Sequence, residues 1–336
     1  VTKKKTRKHR LAHRTVAGAD AIVSCPICRS ARSALVRGPQ QEWRYFRCSD
    51  CQHVWLIPGP NARELKTHYN SAYQVPREAY FHTVNQEFPA LQHALEQLTP
   101  GRKMLEIGCS YGGMLARFAA VGWKVDGVEL DQRAVEIARK SLGLTVQAGT
   151  LREVVDKLSP PYDVITAYHV IEHVPDPAAF LSQIRALSAS DGILLLRLPN
   201  ASSVAARLTR GWWEWFTAPE HINIFSPKSI SLLLREKGFT VVSQRSRRGD
   251  GNRLLFEAAK TVGRIGYRSL RGGTRDAPSR SQQPRASTPS TTAPYRAIRA
   301  GLNIVGAPLD WVIALADRVG LRSMPELLIV ARRRGS

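Results

Sequence analysis

The sequence predicts an α/β protein built on a doubly wound, seven-stranded, mostly parallel sheet, with a small cysteine ribbon ahead of it. Three observations predict this. Apolar, strand-like runs alternate with helical segments of roughly ten residues through the middle of the chain. A glycine-bearing turn, Glu106-Ile107-Gly108-Cys109-Ser110-Tyr111-Gly112, follows the first of those runs. Two Cys-x-x-Cys pairs, Cys25/Cys28 and Cys48/Cys51, stand upstream.

The cysteine pairs come first in the chain. Their C-x2-C-x19-C-x2-C spacing falls within the usual range of a four-thiolate zinc site. Two knuckles supply a filled tetrahedral shell, so Cys25, Cys28, Cys48 and Cys51 are the expected ligands of a structural zinc within residues 21–60. A disulfide or redox pair is the competing use, and His53 competes with Cys51 as fourth ligand. Thiolates committed to a metal fit a reducing, cytoplasmic compartment. The fifth cysteine, Cys109, sits in the glycine turn and reads as small-residue packing.

Residues 61–100 read as a helical linker and 101–246 as the ligand-binding core. The first core strand covers 103–107 and runs into the glycine turn, where a missing Cβ lets the backbone approach a ligand closely. A second strand, 123–129, ends in Glu129, twenty-one residues past Gly108. A carboxylate at that strand tip can accept ribose hydroxyls. Asp131 reads as the N-cap of a helix over 134–140 that stops near Gly143. A third strand over 144–148 leads into Gly149-Thr150-Leu151. A fourth over 162–167 leads into His169-Val170-Ile171-Glu172-His173, ahead of Pro175 and Pro177. A helix at 178–187 and a fifth strand at 192–199 follow. Ligands of such sheets lie at the carboxyl ends of the strands, so a nucleoside-bearing cofactor is expected.

The spacing Glu106-x-Gly108-x-Ser110-x-Gly112 resembles the first motif of class I S-adenosylmethionine (SAM) methyltransferases, D/E-x-G-x-G-x-G, with Ser110 replacing the middle glycine. The motif order is similar from Leu105 to Asn200. This resemblance implies SAM as cofactor, bound by Glu106, Gly108, Ser110, Gly112, Glu129, Thr150, Leu151 and His169. It also implies an antiparallel hairpin of the last two strands at the sheet edge. A subset of the family joins a cysteine ribbon to the core through apolar residues, a proline pair and tyrosines. Cys51-Gln52-His53-Val54-Trp55-Leu56-Ile57-Pro58-Gly59-Pro60, with Tyr69 and Tyr73, resembles that bridge. Members of the subset look like small-molecule or sugar methyltransferases, which implies methyl transfer to a small-molecule or glycan acceptor.

Past the fifth strand, Trp212, Trp213, Trp215 and Phe216 fall within five residues without strand alternation. They suit an acceptor wall or lid, or a plain hydrophobic plug. The Pro219-Glu220-His221-x-Asn223-x-Phe225-Ser226 pattern is similar to one found in the same subset. A hydroxyl acceptor needs its proton removed near the transition state, and imidazole suits that task at neutral pH. His221 is the first choice for that base and His173 the second. Ser226-Pro227 opens a helix as N-cap and N1, ending at Gly238 before a sixth strand at 239–245. His169-x-x-Glu172-His173 also fits a zinc-peptidase signature. That reading needs both histidines on one helix, which the preceding strand and the two prolines oppose.

The last strand is expected within 326–334, after an insertion over 247–325. Residues 271–294 of that insertion are Ser/Thr/Pro/Arg-rich and build no core. Residues 295–318 carry a broken helical period. Of the net charge of +22, only +3 falls on 100–246. The excess sits in flanking regions, including a basic tail over 1–20 that could attract RNA or an anionic membrane surface. An RNA methyltransferase acting on a ring nitrogen or ribose, with ribbon and tails for binding, is therefore the second reading. Against it, no N/D-P-P-Y/F segment follows the fourth strand and no Pro-Cys nucleophile is present. No apolar run of about 18 residues exists to span a membrane, and the basic N-terminus lacks the apolar stretch of a secretory signal.

Overall fold

The computed structural model describes residues 24–36, 43–60, 64, 77–209, 213, 215–247 and 325–335. Two sheets organise them. The smaller contains β1 (Ser33–Val36), β2 (Arg44–Cys48) and β3 (Val54–Ile57), joined at its edge by the two-residue β9 (Asn223–Ile224) from much later in the chain. The larger has seven strands, introduced here in chain order: β4 (Lys103–Ile107), β5 (Lys124–Glu129), β6 (Val146–Ala148), β7 (Tyr162–Tyr168), β8 (Ser188–Pro199), β10 (Phe239–Arg247) and β11 (Glu326–Arg333). Their spatial order is β10-β11-β8-β7-β4-β5-β6. The pairs β4–β5, β4–β7, β5–β6 and β7–β8 are parallel, whereas β11 runs antiparallel to β8 and β10. The order reverses at β4, which puts a crevice at the carboxyl ends of β4, β5 and β7.

Alternation along the central strands explains the two helical layers. Leu105, Ile107, Ile165, Ala167, Leu194 and Leu196 face α5 (Pro177–Leu187), contacting its Phe180, Leu181 and Ile184. Met104, Val164, Ile193 and Leu195 face the other way, onto Val84, Phe88 and Leu95 of α1 (Arg77–Leu98) and Met114 and Phe118 of α2 (Gly113–Ala120). A strand with both faces covered is apolar where it is buried, as Met104-Leu105, Val164-Ile165 and Ile193-Leu194-Leu195-Leu196 are. The helix α3 (Gln132–Leu142) is N-capped by Asp131, whose side chain accepts from Arg133 N. The short α4 (Leu151–Val154) follows Thr150, α6 (Val204–Thr209) follows β8, and α7 (Pro227–Glu236) follows Ser226.

Several expected boundaries move, three of them through hydrogen bonding that the spacing did not show. β6 begins at Val146 rather than 144, because Leu144 N is spent on Ala138 O, closing α3 with Gly143 in the left-handed region at φ 66°. β8 begins at Ser188, four residues early, through a bulge opposite β7 between Tyr162 and Val164. β10 extends to Arg247 by pairing with Glu326. The hairpin that the resemblance implied is present as β10–β11, and the segment between its strands lies outside the described residues. So do the basic tail, the low-complexity stretch, Tyr69, Tyr73 and Trp212. Among the described residues, no helix is long and apolar enough to cross a membrane.

Candidate active site

The glycine turn is shaped by three left-handed positions at alternate residues. Gly108 has φ 76°, Ser110 φ 49° and Gly112 φ 75°. Ser110 thus adopts a conformation glycine usually takes, and a small side chain tolerates it. Glu129, at the tip of β5, holds the turn. Its Oε2 accepts from Ser110 N at 2.8 Å, while Oε1 accepts from Leu130 N at 2.6 Å and Asp131 N at 2.8 Å. The front of the turn is closed by Tyr80 of α1, whose hydroxyl accepts from Gly113 N at 2.9 Å and donates to Cys109 O at 3.1 Å.

Glu106, next to last in β4 and just ahead of this turn, is 7% exposed, with its Oε2 buried and without a hydrogen-bond partner. Burial, and then the Glu129 charge, push its carboxyl up to about 8. Glu129 is raised too, chiefly by burial, against the pull of its backbone donors. Two acidic groups and an unsatisfied oxygen around a left-handed turn form a site short of donors, and a ribose or an ammonium group supplies them. The residues therefore fit the cofactor that the motif implies. Thr150 sits at the carboxyl end of β6, but its hydroxyl is engaged in a capping box with Glu153. Leu151 is buried beside it.

The histidines gather on the other side of the crevice. His169 closes β7 at φ 54°, and Ile171–His173 form a 3-10 turn, so no helix carries both histidines of the peptidase signature. His169 Nδ1 donates to Glu172 Oε1 at 3.1 Å, and its Nε2 lies 3.7 Å from Glu326 Oε1. Burial disfavours its charged form, yet the bond to Glu172 and the charges of Glu172 and Glu326 outweigh burial and raise its pKa. The Trp215 ring stacks between His169 (5.5 Å, 10°) and His221 (5.4 Å, 19°). The His173 and His221 rings are 4.8 Å apart.

Both of these imidazoles have one nitrogen fixed by a main-chain carbonyl. His221 Nδ1 donates to Trp215 O at 2.6 Å and His173 Nδ1 to Glu220 O at 2.9 Å. A carbonyl only accepts, so His221 carries its proton on Nδ1 and its lone pair on Nε2. Burial first, and the neighbouring His173 second, lower His221 to about 4. Glu172 is fully buried with Oε2 unpartnered. Its burial is outweighed by the bond from His169 and by the histidines around it, which hold the carboxyl below its ordinary value. Glu172, His173 and His221 each place a donor atom within 4.8 Å of the others, so the cluster could also take a cation.

The four cysteines converge. Cys25 and Cys51 Sγ are 3.5 Å apart, as are Cys28 and Cys48 Sγ, and all four sulfurs lie within 4.8 Å of one another. A disulfide would place two sulfurs at about 2.0 Å, whereas a tetrahedron with Zn–S bonds of about 2.3 Å has edges near 3.8 Å. Asp50 N and Cys51 N both point at Cys48 Sγ, at 3.3 and 3.5 Å. The donor set fits a zinc ion. His53 is not part of it: its Nε2 donates to Asn223 Oδ1 at 3.2 Å, and its ring packs on Phe225.

Several site residues carry no local sequence signal. Tyr80, Arg197 and Glu326 reach their places only through long-range packing. The pentapeptide motif did mark Glu172, as part of a competing reading. Trp213 and Phe216 turn away from the histidines into an apolar cluster with Tyr45, Val54 and Leu56. Trp213 and Phe216 thus form a hydrophobic plug, while Trp215 packs on His169 and His221.

Residues 78–244 match the family model described as "Methyltransferase domain". Over 160 residues the chain is 28% identical to a ubiquinone biosynthesis O-methyltransferase of Alkalilimnicola ehrlichii, covering 42% of this chain and 64% of that protein. Over 117 residues it is 30% identical to the enzyme of the same name from Actinobacillus pleuropneumoniae, covering 32% and 50%. The chain thus spans half to just under two thirds of these relatives. A SAM-dependent methyltransferase structure from Archaeoglobus fulgidus superposes with a TM-score of 0.45 at 15% identity, covering 74% of this chain and 94% of that one. The strand order, the turn over Glu106 and Glu129, and the family match agree: residues 78–244 form a class I SAM-dependent methyltransferase domain.

Proposed function

We propose that this chain transfers a methyl group from SAM to a hydroxyl of a small-molecule acceptor, sugars included, with His221 as general base. The observation that carries the reading is the tautomer of His221. Its proton is fixed on Nδ1 by Trp215 O, which leaves Nε2 as a proton acceptor beside His173 and the buried Glu172. The O-methyltransferase names of the relatives support oxygen as the methylated atom.

Bound SAM supplies a methyl group already activated as a sulfonium, so the protein's work is alignment and proton removal. Glu106 and Glu129, with the main chain of Gly108, Ser110 and Gly112, would hold the nucleoside and amino-acid portions; the main chain at Thr150 and Leu151 would border them. His169, locked between two carboxylates, keeps Trp215 flat against the pocket. As the acceptor oxygen attacks, His221 Nε2 takes its proton. The fully buried carboxylate of Glu172 then stabilises the imidazolium, which burial alone would disfavour. Cys25, Cys28, Cys48 and Cys51 would hold a structural zinc, and thiolates committed to a metal fit a reducing compartment such as the cytoplasm. The RNA reading draws on tails outside the described residues and gains no support from the site.

The test is incubation of the purified chain with methyl-labelled SAM and fractionated small metabolites, with and without prior O-acetylation of the metabolites. Label entering a metabolite only when its hydroxyls are open supports the reading. Label in RNA, lost on RNase treatment, would reverse the order of the two hypotheses.

A further inference from the structure

We propose that the cysteine ribbon braces the loop that carries His221, and that Tyr45, on β2 of that ribbon, is the positioning residue for His221. The inference rests on the reading of His221 as base. The segment around His221 is held from two sides. On the sheet side, Ile222 N donates to Glu172 O at 2.9 Å, Asn223 Nδ2 to Val174 O at 2.7 Å, and Ala201 N to Phe225 O at 2.8 Å. On the ribbon side, the Tyr45 hydroxyl donates to the carbonyl of His221 itself at 2.8 Å. Leu56 N donates to Ile222 O at 2.9 Å, and β9 pairs antiparallel with β3 through Val54–Ile224 and Trp55–Asn223.

The second knuckle belongs to the same seam. Ser226 Oγ donates to Cys51 O at 2.6 Å while also accepting from Ser229 N as the cap of α7, and Lys228 Nζ donates to Asp50 O at 2.8 Å. Among the loop's described residues, Trp213, Phe216, Ile222 and Ile224 are buried in a cluster shared with Tyr45, Val54 and Leu56 of the ribbon and with Ala201, Ala205 and Ala206 after β8. A two-residue strand does not persist unpaired, so β9 exists as an edge of the ribbon sheet. A ribbon of this size buries too little surface to hold its shape without its metal. Metal-ordered ribbon and catalytic loop are therefore one folding unit, and the main chain of His221 is anchored to its far side.

The test uses the full chain in three states: metal-loaded, stripped by a strong chelator, and the metal-loaded Tyr45→Phe variant. Solvent access to His221 is read by its rate of carbethoxylation, located by peptide mass spectrometry, and SAM affinity by calorimetry. Stripping is expected to raise the His221 modification rate by tenfold or more while the SAM Kd stays within about threefold, because the glycine turn makes none of the seam contacts. Tyr45→Phe is expected to lower kcat by roughly tenfold, the size of one lost hydrogen bond, and to move the acid limb of kcat/KM upward as His221 becomes better hydrated. A purely structural tyrosine would lower thermal stability without moving that limb. Unchanged His221 protection in the stripped chain overturns the proposal, as does loss of SAM binding together with protection, which would make the ribbon a support for the whole fold. If His221→Ala keeps full turnover, the base assignment fails, and the protection data still decide whether ribbon and loop are coupled.

Discussion

Arg197, at the carboxyl end of β8, donates from Nε to Glu326 Oε2 at 2.7 Å, with both side chains about 5% exposed or less. Arg197 also reaches Glu87 of α1 at 3.0 Å, and Glu326 faces His169 at 3.7 Å. One buried chain of charge thus ties β11, α1 and the histidine cluster together. Removing one partner leaves the others desolvated and uncompensated. Glu326→Ala is expected to destabilise the chain by about 3–5 kcal/mol in urea unfolding. A loss under 1 kcal/mol would mean that water already screens the network.

Glu129→Ala should weaken SAM binding by roughly 10- to 100-fold, the range for losing hydrogen bonds to a charged group. Part of that loss is indirect, since the carboxylate also organises one main-chain N–H of the turn, at Ser110, and two of the loop after β5, at Leu130 and Asp131. Calorimetry on the variant gives the answer, and an unaltered Kd removes Glu129 from the cofactor site.

Glu106 makes the opposite trade. Its carboxyl is pushed up to about 8 when folded and titrates near 4.5 when unfolded. Between those values the folded chain binds the extra proton, so stability contributed by this group is full below pH 4.5 and declines as pH rises toward 8. Glu106→Gln should therefore stabilise the cofactor-free chain at pH 7, by on the order of 3 kcal/mol, while weakening SAM binding. A variant that melts lower than wild type without cofactor contradicts this account.

His221→Ala should leave SAM affinity nearly intact and lower turnover by about 10²- to 10⁴-fold, the contribution of a positioned base. In the wild-type enzyme the acid limb of kcat/KM should fall near pH 4, because burial and His173 hold His221 at about 4. Activity is present above that value, where the imidazole is neutral, and is lost as pH drops through it. A limb near the ordinary histidine value of 6.5 points to a more exposed base.

One zinc per chain is expected by elemental analysis, falling to well under half in Cys51→Ser, which removes a fully buried ligand. Retained full occupancy would show that another residue completes the shell.

The sequence by itself determined the elements whose causes are local. The run before Glu106, the caps at Asp131 and Ser226, the stop at Gly143 and the knuckle spacing all act within a few residues, and each stands where its pattern predicted. Strand ends moved where pairing decided them, as at Ser188 and Arg247. Only the tertiary structure placed Tyr45 against His221, Trp215 between two histidines, and Glu326 beside Arg197. Those relationships join residues up to 176 positions apart, and no periodicity or turn chemistry encodes them. They follow from which apolar faces bury one another once the sheet has formed, and from the need of each buried charge for a partner.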